Sequence, residues 1–421
     1  MGIWIIVALV GGAVATLIAL NLSSSERKID HEVRPLYAAG DPQFVRSLGA
    51  LLGPGIVGGN RVASFLNGDQ IFPAMLDAIR SARRTITFET YIYWSGEIGR
   101  AFADALSERA RAGVRVHVLL DWLGTGKMDQ EILDEMEEAG AELCKYHPLR
   151  WYTIGRMNNR THRKLLVVDG RVGFTGGVGI ADNWLGHAQD PEHWRDSHFR
   201  IEGPAVAQMQ ATFMDNWMKC RSLVLHGEDY FPALEPRGDS AAQVFHSSPG
   251  EGAESVRLMY LLSIASARSR ILLANSYFVP DSLAVKELVS ARRRGVRVEI
   301  ITPGPHIDTE TVRKASRSRW GPLLEAGVEI YEYQPTMFHC KVMVVDDSWV
   351  SVGSTNFDNR SFRLNDEANL NVLDPVMAAE QAAIFEDDKR KSRRMTLEGW
   401  RRRPMKEKIQ ERLAGLLRAQ L

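Results

Sequence analysis

The segment HRKLLVVDGRVGFTGG at residues 162–177 recurs later in the chain as HCKVMVVDDSWVSVGS at residues 339–354. Each copy has a histidine, a lysine two positions later and an aspartate five positions after that lysine. If lysine and aspartate each make up about 5% of residues, two such matches among the 11 histidines arise by chance in well under about 0.1% of sequences. The segment therefore indicates a duplication within the chain.

Three further segments recur in the same order, which supports a division of the chain into two homologous halves. The partners are about 180 residues apart each time, as expected for a duplicated unit. The pairs are 81–94 with 266–279, 110–120 with 292–302, and 139–146 with 326–333. We predict a first half at 51–220, a linker at 221–245 and a second half at 246–388.

Both halves alternate apolar strands with helical patterns. RVHVLLD at 115–121 and RVEIITP at 297–303 are continuous apolar runs. Such runs are typical of strands that are covered on both faces. The alternation predicts an α/β fold in which helices pack on a sheet.

The spacing inside the repeated motif has a geometric meaning. His162 and Lys164 are two residues apart, as are His339 and Lys341, so each pair projects from one face of a strand. Both pairs can therefore face a single phosphate group. Asp169 and Asp346 lie an odd number of residues beyond their lysines, at the turn that closes a strand pair. A structural role for these aspartates is favoured over a direct catalytic one, although both remain open.

The paired motif and its flanking segments resemble the phospholipase D superfamily, and in particular its bacterial cardiolipin synthase branch. The resemblance covers nearly everything after about residue 50. It implies two α/β sandwich halves that pack face to face and pool their motifs into one active site. The segments that carry it are 88–94, 158–180, 194–198, 275–281, 315–347 and 353–367.

The resemblance also implies a mechanism through a phosphohistidine. One histidine attacks phosphorus and the other serves as acid and base; we assign His162 and His339 to these roles, with the reverse order left open. Lys164 and Lys341 would hold the nonbridging oxygens. The remaining predicted residues are Asn356 and Ser354, which would bind or support the phosphate, and Glu367 and Asp196, which would orient the imidazoles. No metal ion or other cofactor is expected.

One position departs from the pattern of the family. Gly179 stands where relatives often carry an asparagine. This glycine supplies no side-chain donor to a phosphate, so either Asn356 alone suffices, a backbone amide substitutes, or the site is weaker.

The function that these residues favour is phosphatidyl transfer between two phosphatidylglycerol molecules, which forms cardiolipin and glycerol. A hydrolytic phospholipase D, a phosphodiesterase acting on nucleic acid and a non-catalytic lipid-binding scaffold are the alternatives. Lys+Arg and Asp+Glu are equal at 52. That balance counts against a nucleic-acid partner. The expected partners are an anionic phospholipid and the membrane, with no obligate protein partner.

The two ends of the sequence point to a membrane. Residues 3–22 carry no charge and are long enough for a bilayer-spanning helix. We therefore predict an anchor at 1–24 and a juxtamembrane linker at 25–50. Arg27 and Lys28 favour a single-pass protein whose catalytic domain faces the cytoplasm. Residues 389–421 form a basic tail, which is expected to contact anionic lipid.

Two further features leave more than one interpretation. The first half has an extra loop at 147–161 that is rich in arginine and aromatic residues. It is expected to form a lip for lipid headgroups or an ordinary solvated loop. Cys144, Cys220 and Cys340 are too few and too scattered for a disulfide framework, so all three are predicted to be reduced and buried.

Overall fold

The structure, a computed structural model, describes residues 29–148, 159–249 and 254–416, together with residues 2, 4–6, 9–12, 14 and 16. The predicted anchor at 1–24 and the loop at 147–161 lie largely outside these residues. Within the described ranges, no helix combines the length and the apolar character that crossing a membrane requires.

The first half is built from alternating strands and helices. In chain order its elements are α1 (Pro42–Leu52), β1 (Val57–Leu66), α2 (Asn67–Ser81), β2 (Thr85–Thr90), α3 (Glu97–Arg111), β3 (Arg115–Asp121), α4 (Gln130–Glu138), β4 (Glu142–Tyr146), β5 (Arg160–Thr161), β6 (Leu165–Val168), β7 (Val172–Gly176), β8 (Ser197–Glu202) and α5 (Val206–Arg221), with a single 3-10 turn at Asp182–Trp184.

The second half repeats this order and then continues into the C-terminal elements. It contains β9 (Ser240–Ser247), α6 (Ser255–Ser266), β10 (Arg270–Asn275), α7 (Ser282–Arg293), β11 (Arg297–Pro303), α8 (Glu310–Arg317), α9 (Trp320–Glu325), β12 (Glu329–Tyr333), β13 (Lys341–Val345), β14 (Trp349–Gly353), α10 (Asn359–Arg363), β15 (Asn365–Leu373), α11 (Pro375–Arg390), β16 (Ser392–Met395), α12 (Leu397–Arg402) and α13 (Met405–Leu416).

The α/β class and the two homologous halves are confirmed by the sheet. Its strand order is β16-β12-β11-β10-β13-β14-β15-β9-β1-β8-β7-β6-β2-β3-β4. Each strand from β12 to β9 has its counterpart at the mirrored position between β1 and β4. The halves therefore join edge to edge at the antiparallel β9–β1 pair, and not face to face as the resemblance implied, because one mixed sheet runs through both of them.

Three apolar clusters hold the sheet to its helices. One covers the outer face of the first half, around α2 and α3. A second covers the outer face of the other half, around α6 and α7. The third lies between α5, α11 and the inner faces of both halves, where Trp217 and Phe385 are buried. The shared third cluster fixes the position of one half against the other.

Two segments outside the predicted halves also belong to the folded core. Helix α1, within the predicted linker at 25–50, packs on the second half, where Phe44 lies 5.0 Å from Trp349 between ring centroids. Strand β16, within the predicted basic tail, pairs with β12. Apolar residues of α1, Phe44 among them, are thus buried against the second half.

The aspartates of the repeated motif lie in the turns that follow β6 and β13. Asp169 and Asp346 have φ angles of 52° and 54°. Asp169 accepts hydrogen bonds from the backbone amides of Arg83, Arg84 and Thr85. Asp346 accepts the equivalent bonds from the amides of residues 268, 269 and 270. Each aspartate thus ties a strand turn to the start of the neighbouring strand, which explains why this residue recurs in both halves.

The prediction that all three cysteines are reduced was wrong for two of them. Cys144 and Cys220 form a disulfide across 76 residues of sequence, with their Cα atoms 6.5 Å apart. Cys144 belongs to β4 and Cys220 to the last turn of α5, which packs on that strand. The pair could not be recognised in the sequence because only tertiary packing brings it together. Cys340 is a free, buried thiol, as predicted.

The role of the turn aspartates can be tested by comparing neighbours in the second half. We expect Asp346→Ala to lower the free energy of unfolding by about 2 kcal/mol, because several backbone amides lose a charged acceptor. Asp347 is the control: its side chain is 84% exposed and pairs with Arg270 at the surface. Asp347→Ala should cost less than about 0.5 kcal/mol in urea denaturation. Equal losses in the two variants would contradict the structural role of Asp346.

Candidate active site

The two histidines of the repeated motif meet where the halves contact each other. His162 lies just before β6, and His339 lies just before β13, the equivalent strand of the second half. The backbone amide of His162 donates to the carbonyl of Asp366 in the second half, at 2.8 Å. The amide of His339 donates to the carbonyl of Arg195 in the first half, also at 2.8 Å. Each histidine is therefore anchored by the half to which it does not belong.

The carboxylate that contacts each histidine also belongs to the opposite half. Nδ1 of His162 lies 3.0 Å from both carboxylate oxygens of Glu367, in the second half. Nδ1 of His339 lies 2.7 Å from Oδ2 of Asp196, in the first half. An ionised carboxylate only accepts hydrogen bonds, so Nδ1 of each ring carries the hydrogen. In the neutral imidazole this leaves Nε2 of His162 with a lone pair that can react, whereas Nε2 of His339 lies 3.1 Å from Nζ of Lys341.

Each carboxylate is fully buried and held by further donors. The Ser354 hydroxyl donates to Glu367. Asp196 accepts the Ser197 amide at 2.8 Å and the indole N–H of Trp184 at 2.9 Å. Burial alone would raise the pKa of both acids, but the facing histidine and lysine hold each pKa below its usual range. Both therefore stay ionised at neutral pH and can support an imidazolium.

Buried surroundings keep both imidazoles neutral before substrate arrives. Burial lowers the pKa of His162 to about 4, with Lys164 and Lys341 acting in the same direction against Glu367. The pKa of His339 is also lowered, first by burial and then by Lys341. A neutral ring with an accessible Nε2 is the state that a nucleophile requires.

The two lysines lie beside their histidines. Nζ of Lys164 donates to the carbonyl of His162 at 2.7 Å, and Nζ of Lys341 donates to that of His339 at 2.6 Å. Burial lowers the pKa of Lys164 to about 7, assisted by the charge of Lys341. Burial lowers the pKa of Lys341 to about 8, against the opposite influence of Asp196. Two ammonium groups held this close favour an anion between them.

One pocket collects these groups and surrounds them with aromatic rings. It is lined by His162, Lys164, His339 and Asn356. The Asn356 amide oxygen accepts a bond from the Ser276 hydroxyl at 2.7 Å, which leaves its amide nitrogen as a donor. Tyr91 meets His162 edge-on, and Trp184 and Trp194 pack against His339. These rings restrict the imidazoles and limit the access of water.

The departure at Gly179 has a steric explanation. A Cβ atom on Gly179 would lie 2.9 Å from Cβ of Ile92 and 3.2 Å from the Trp184 ring. The space that an asparagine would need is thus filled by Trp184, the residue that donates to Asp196. Gly177 has a related role, because a Cβ there would lie 2.2 Å from Oδ1 of Asp196. The first half supports its carboxylate with an indole where the second half uses Ser354.

The structure brings together all but two of the residues predicted from sequence. The exceptions, Asp169 and Asp346, had been grouped with the catalytic residues, but they bind backbone amides at the far ends of β6 and β13. Seven residues of extended chain separate Asp169 from His162, or about 20 Å. Neither aspartate belongs to the pocket lining, so a role in direct catalysis is not supported.

Two buried arginines were not singled out from the sequence. Arg163 donates to the carbonyls of Glu367, Thr212 and Ser247. Arg195 forms two bonds with Asp388 in the second half, at 3.0 and 2.8 Å. Each arginine directly adjoins a site residue, His162 or Asp196. That adjacency was the one signal that could have identified them.

Among the residues that the structure describes, no group of three or more His, Cys, Asp and Glu side chains is arranged to hold a metal ion. The described pocket lining has one carboxylate, that of Asp308, against the cationic side chains of Lys127, Arg160, Lys164 and Arg360, and this balance favours an anion.

Comparison with known proteins agrees with this geometry. A family model described as "Cardiolipin synthase, PLD-like domain" matches residues 75–217 and 260–389. Cardiolipin synthase 1 of Bacillus anthracis is 35% identical over 360 residues, covering 83% of this chain and 70% of the relative. The major cardiolipin synthase of Bacillus subtilis is 34% identical over 361 residues, covering 85% of this chain and 75% of the relative.

A solved structure extends the comparison to the fold. Phosphatidylserine synthase of Haemophilus influenzae matches with a TM-score of 0.68 and 14% identity, covering 90% of this chain and 99% of that one. At this identity the likeness concerns the fold alone. The family model in both halves and the identity to the two Bacillus enzymes show that the chain belongs to the cardiolipin synthase family of phospholipase D-like proteins.

Proposed function

We propose that the protein is a phosphatidyltransferase that converts two phosphatidylglycerol molecules into cardiolipin and glycerol. The observation that carries the proposal is the pair of histidine–carboxylate contacts, His162 with Glu367 and His339 with Asp196, each beside the lysine of its own motif. The matched relatives are named cardiolipin synthases, which supports phosphatidylglycerol as the substrate.

The first half-reaction forms a covalent intermediate. Nε2 of His162 attacks phosphorus of the donor phosphatidylglycerol, and the bond from phosphorus to the glycerol oxygen breaks. The incoming phosphodiester brings a negative charge, which favours the protonated form of the nearby His339 imidazole. His339 gives that proton to the leaving alkoxide, so glycerol departs as a neutral alcohol.

The second half-reaction resolves the intermediate. The hydroxyl of a second phosphatidylglycerol attacks phosphorus, and its proton passes to His339. The bond from phosphorus to Nε2 then breaks, which releases cardiolipin and restores neutral His162. Lys164, Lys341 and the Asn356 amide nitrogen stabilise the charge on the nonbridging oxygens. Glu367 and Asp196 hold the rings in the Nδ1–H tautomer through both steps.

A hydrolytic phospholipase D is the second candidate, because it shares the first half-reaction. Water would then replace the second lipid hydroxyl and release phosphatidic acid. The aromatic rings around the two histidines favour transfer, since they restrict water at the intermediate.

We also propose that residues 3–22 anchor the protein in the membrane, with the two homologous halves outside the bilayer. The uncharged sequence of this segment supports the anchor. Arg27 and Lys28 favour a cytoplasmic catalytic domain. The Cys144–Cys220 disulfide favours the opposite face, because thiols are kept reduced in the cytoplasm. We therefore propose that the two halves lie on the non-cytoplasmic side of the membrane, because the disulfide links ordered parts of the folded domain.

The proposed function predicts that each histidine is indispensable. His162→Ala and His339→Ala should each lower cardiolipin formation from labelled phosphatidylglycerol in mixed micelles by about 10³-fold or more. Lipid products and free glycerol would be resolved by chromatography, with circular dichroism as the check that each variant is folded. Cardiolipin formation at the wild-type rate in either folded variant would refute the shared site. Phosphatidic acid as the main wild-type product would establish the hydrolase.

The lowered lysine pKa values predict an alkaline loss of activity. Lysines with pKa values of about 7 and about 8 lose their charge as the pH rises through that range. We expect kcat/KM for phosphatidylglycerol to fall between pH 7 and 9, mainly through a rise in KM.

Arginine substitutions provide the control for this assignment. Lys164→Arg and Lys341→Arg keep a positive charge at every pH in the range. The alkaline fall should therefore become shallower in the arginine variants, whatever their absolute rate. A pH profile of unchanged shape in both variants would show that another group titrates.

A further inference from the structure

The last described helix, α13, presents an apolar stripe to solvent. Four of its side chains are 53–77% exposed. Their spacing of four, four and three residues places them within about 80° of the helix circumference. The stripe consists of Met405, Ile409, Leu413 and Leu416. Such a continuous apolar face on a surface helix indicates a binding surface.

The opposite face of α13 is fixed to the second half. Ala414 is buried in a small cluster with Val279, Val312 and Ala315. The Glu411 carboxylate is buried and pairs with Arg317 at 3.3 Å and with Arg403 at 2.6 Å. These contacts prevent α13 from turning its apolar stripe inward, so the stripe stays on the surface.

Positive charges border the stripe on both sides. On a helical projection Lys406 lies at one edge, and Arg412 and Lys408 lie at the other. The acidic residues of the helix, Glu407 and Glu411, lie on the docked face and pair with Arg317. An apolar stripe between basic edges is the arrangement of a helix that lies in the interface of an anionic bilayer.

Helix α13, which carries the stripe, docks beside residues of the catalytic pocket. Tyr277, which lines the pocket, packs against the cluster that holds Ala414. The pocket residues Asp308 and Thr309 immediately precede α8, the helix on which α13 rests. A second exposed apolar residue, Leu123, lines the same pocket from the first half. Apolar groups thus border the opening from both halves.

We propose that α13 lies in the headgroup region of an anionic bilayer, with Met405, Ile409, Leu413 and Leu416 among the acyl chains. This docking would place the pocket opening at the depth of the lipid phosphates, so that a substrate reaches His162 without leaving the membrane. The inference rests on the proposed function for the identity of the lipid. The binding surface itself is tested separately from catalysis.

A fluorescent probe at one position of the stripe tests the contact in the full-length protein. The chain suits selective labelling, because Cys144 and Cys220 form a disulfide and burial raises the pKa of Cys340 to about 12. An environment-sensitive dye would be attached to the new thiol of the Ile409→Cys variant, and the labelled protein would be reconstituted into phosphatidylglycerol vesicles. We expect a blue-shifted emission that nitroxide-labelled lipid quenches.

Val376→Cys is the matched control for the probe. Val376 is 79% exposed and follows the end of β15 that is distant from Glu367. The dye at Val376 should remain solvent-like and unquenched. Equal, solvent-like emission at both positions would overturn the proposal. A blue shift at Ile409 that follows protein concentration but resists lipid quenchers would also overturn it, because a second copy would then cover the stripe.

Charged substitutions connect the surface to turnover. Ile409→Asp with Leu413→Asp should lower the rate on phosphatidylglycerol vesicles by about tenfold or more, with Val376→Asp as control. The rate on a short-chain phosphatidylglycerol below its micelle concentration should remain at the wild-type value. Equal rates on vesicles for the double variant and the control would contradict the inference. Absence of turnover in the wild type would instead count against the proposed function, and the probe result would stand.

Discussion

The rest of the site depends on one interaction, the contact of each motif histidine with a carboxylate from the opposite half. His162 takes its orienting acid from the second half, and His339 takes its acid from the first. Fully buried charges are costly unless they are paired, so each carboxylate depends on a partner across the contact. The buried Arg163 and Arg195 strengthen the same contact, since each binds groups of the second half from the first. Neither half alone therefore contains both members of either histidine–carboxylate pair of the site.

The two pairs are related in position but differ in chemistry. Glu367 reaches His162 with one methylene more than Asp196 uses to reach His339, and a serine supports the longer acid where an indole supports the shorter one. Gly177 and Gly179 make room for the shorter arrangement. The imidazoles also have different neighbours, one tyrosine for His162 and two tryptophans for His339. These differences give the two histidines distinct environments.

The repeated segments were sufficient to predict the α/β class and the two halves, because strand patterns and motif spacing are local properties. The pooling of the two motifs in one site was implied by the family resemblance. Contacts between distant segments were not predictable in this way. The disulfide between Cys144 and Cys220 requires that α5 packs on β4, and the burial of Phe44 requires that α1 crosses to the second half. The steric reason for a glycine at position 179 could not be predicted either, because only the folded structure shows that Trp184 fills the space beside Gly179. Family resemblance supplied Glu367 and Asp196, whose exchange between halves no spacing in the sequence indicates.

The two halves are joined through β1 and β9 within one polypeptide. This affects how substitutions can accumulate in the shared site. In an assembly of two identical subunits, every substitution appears twice, and both sides of the interface must tolerate it. Here each position is altered once, because the two halves are consecutive parts of one polypeptide. Arg163 can therefore be a buried arginine while its counterpart, Cys340, is a small thiol. A tandem arrangement lets the two histidines specialise without loss of the symmetry that brought them together.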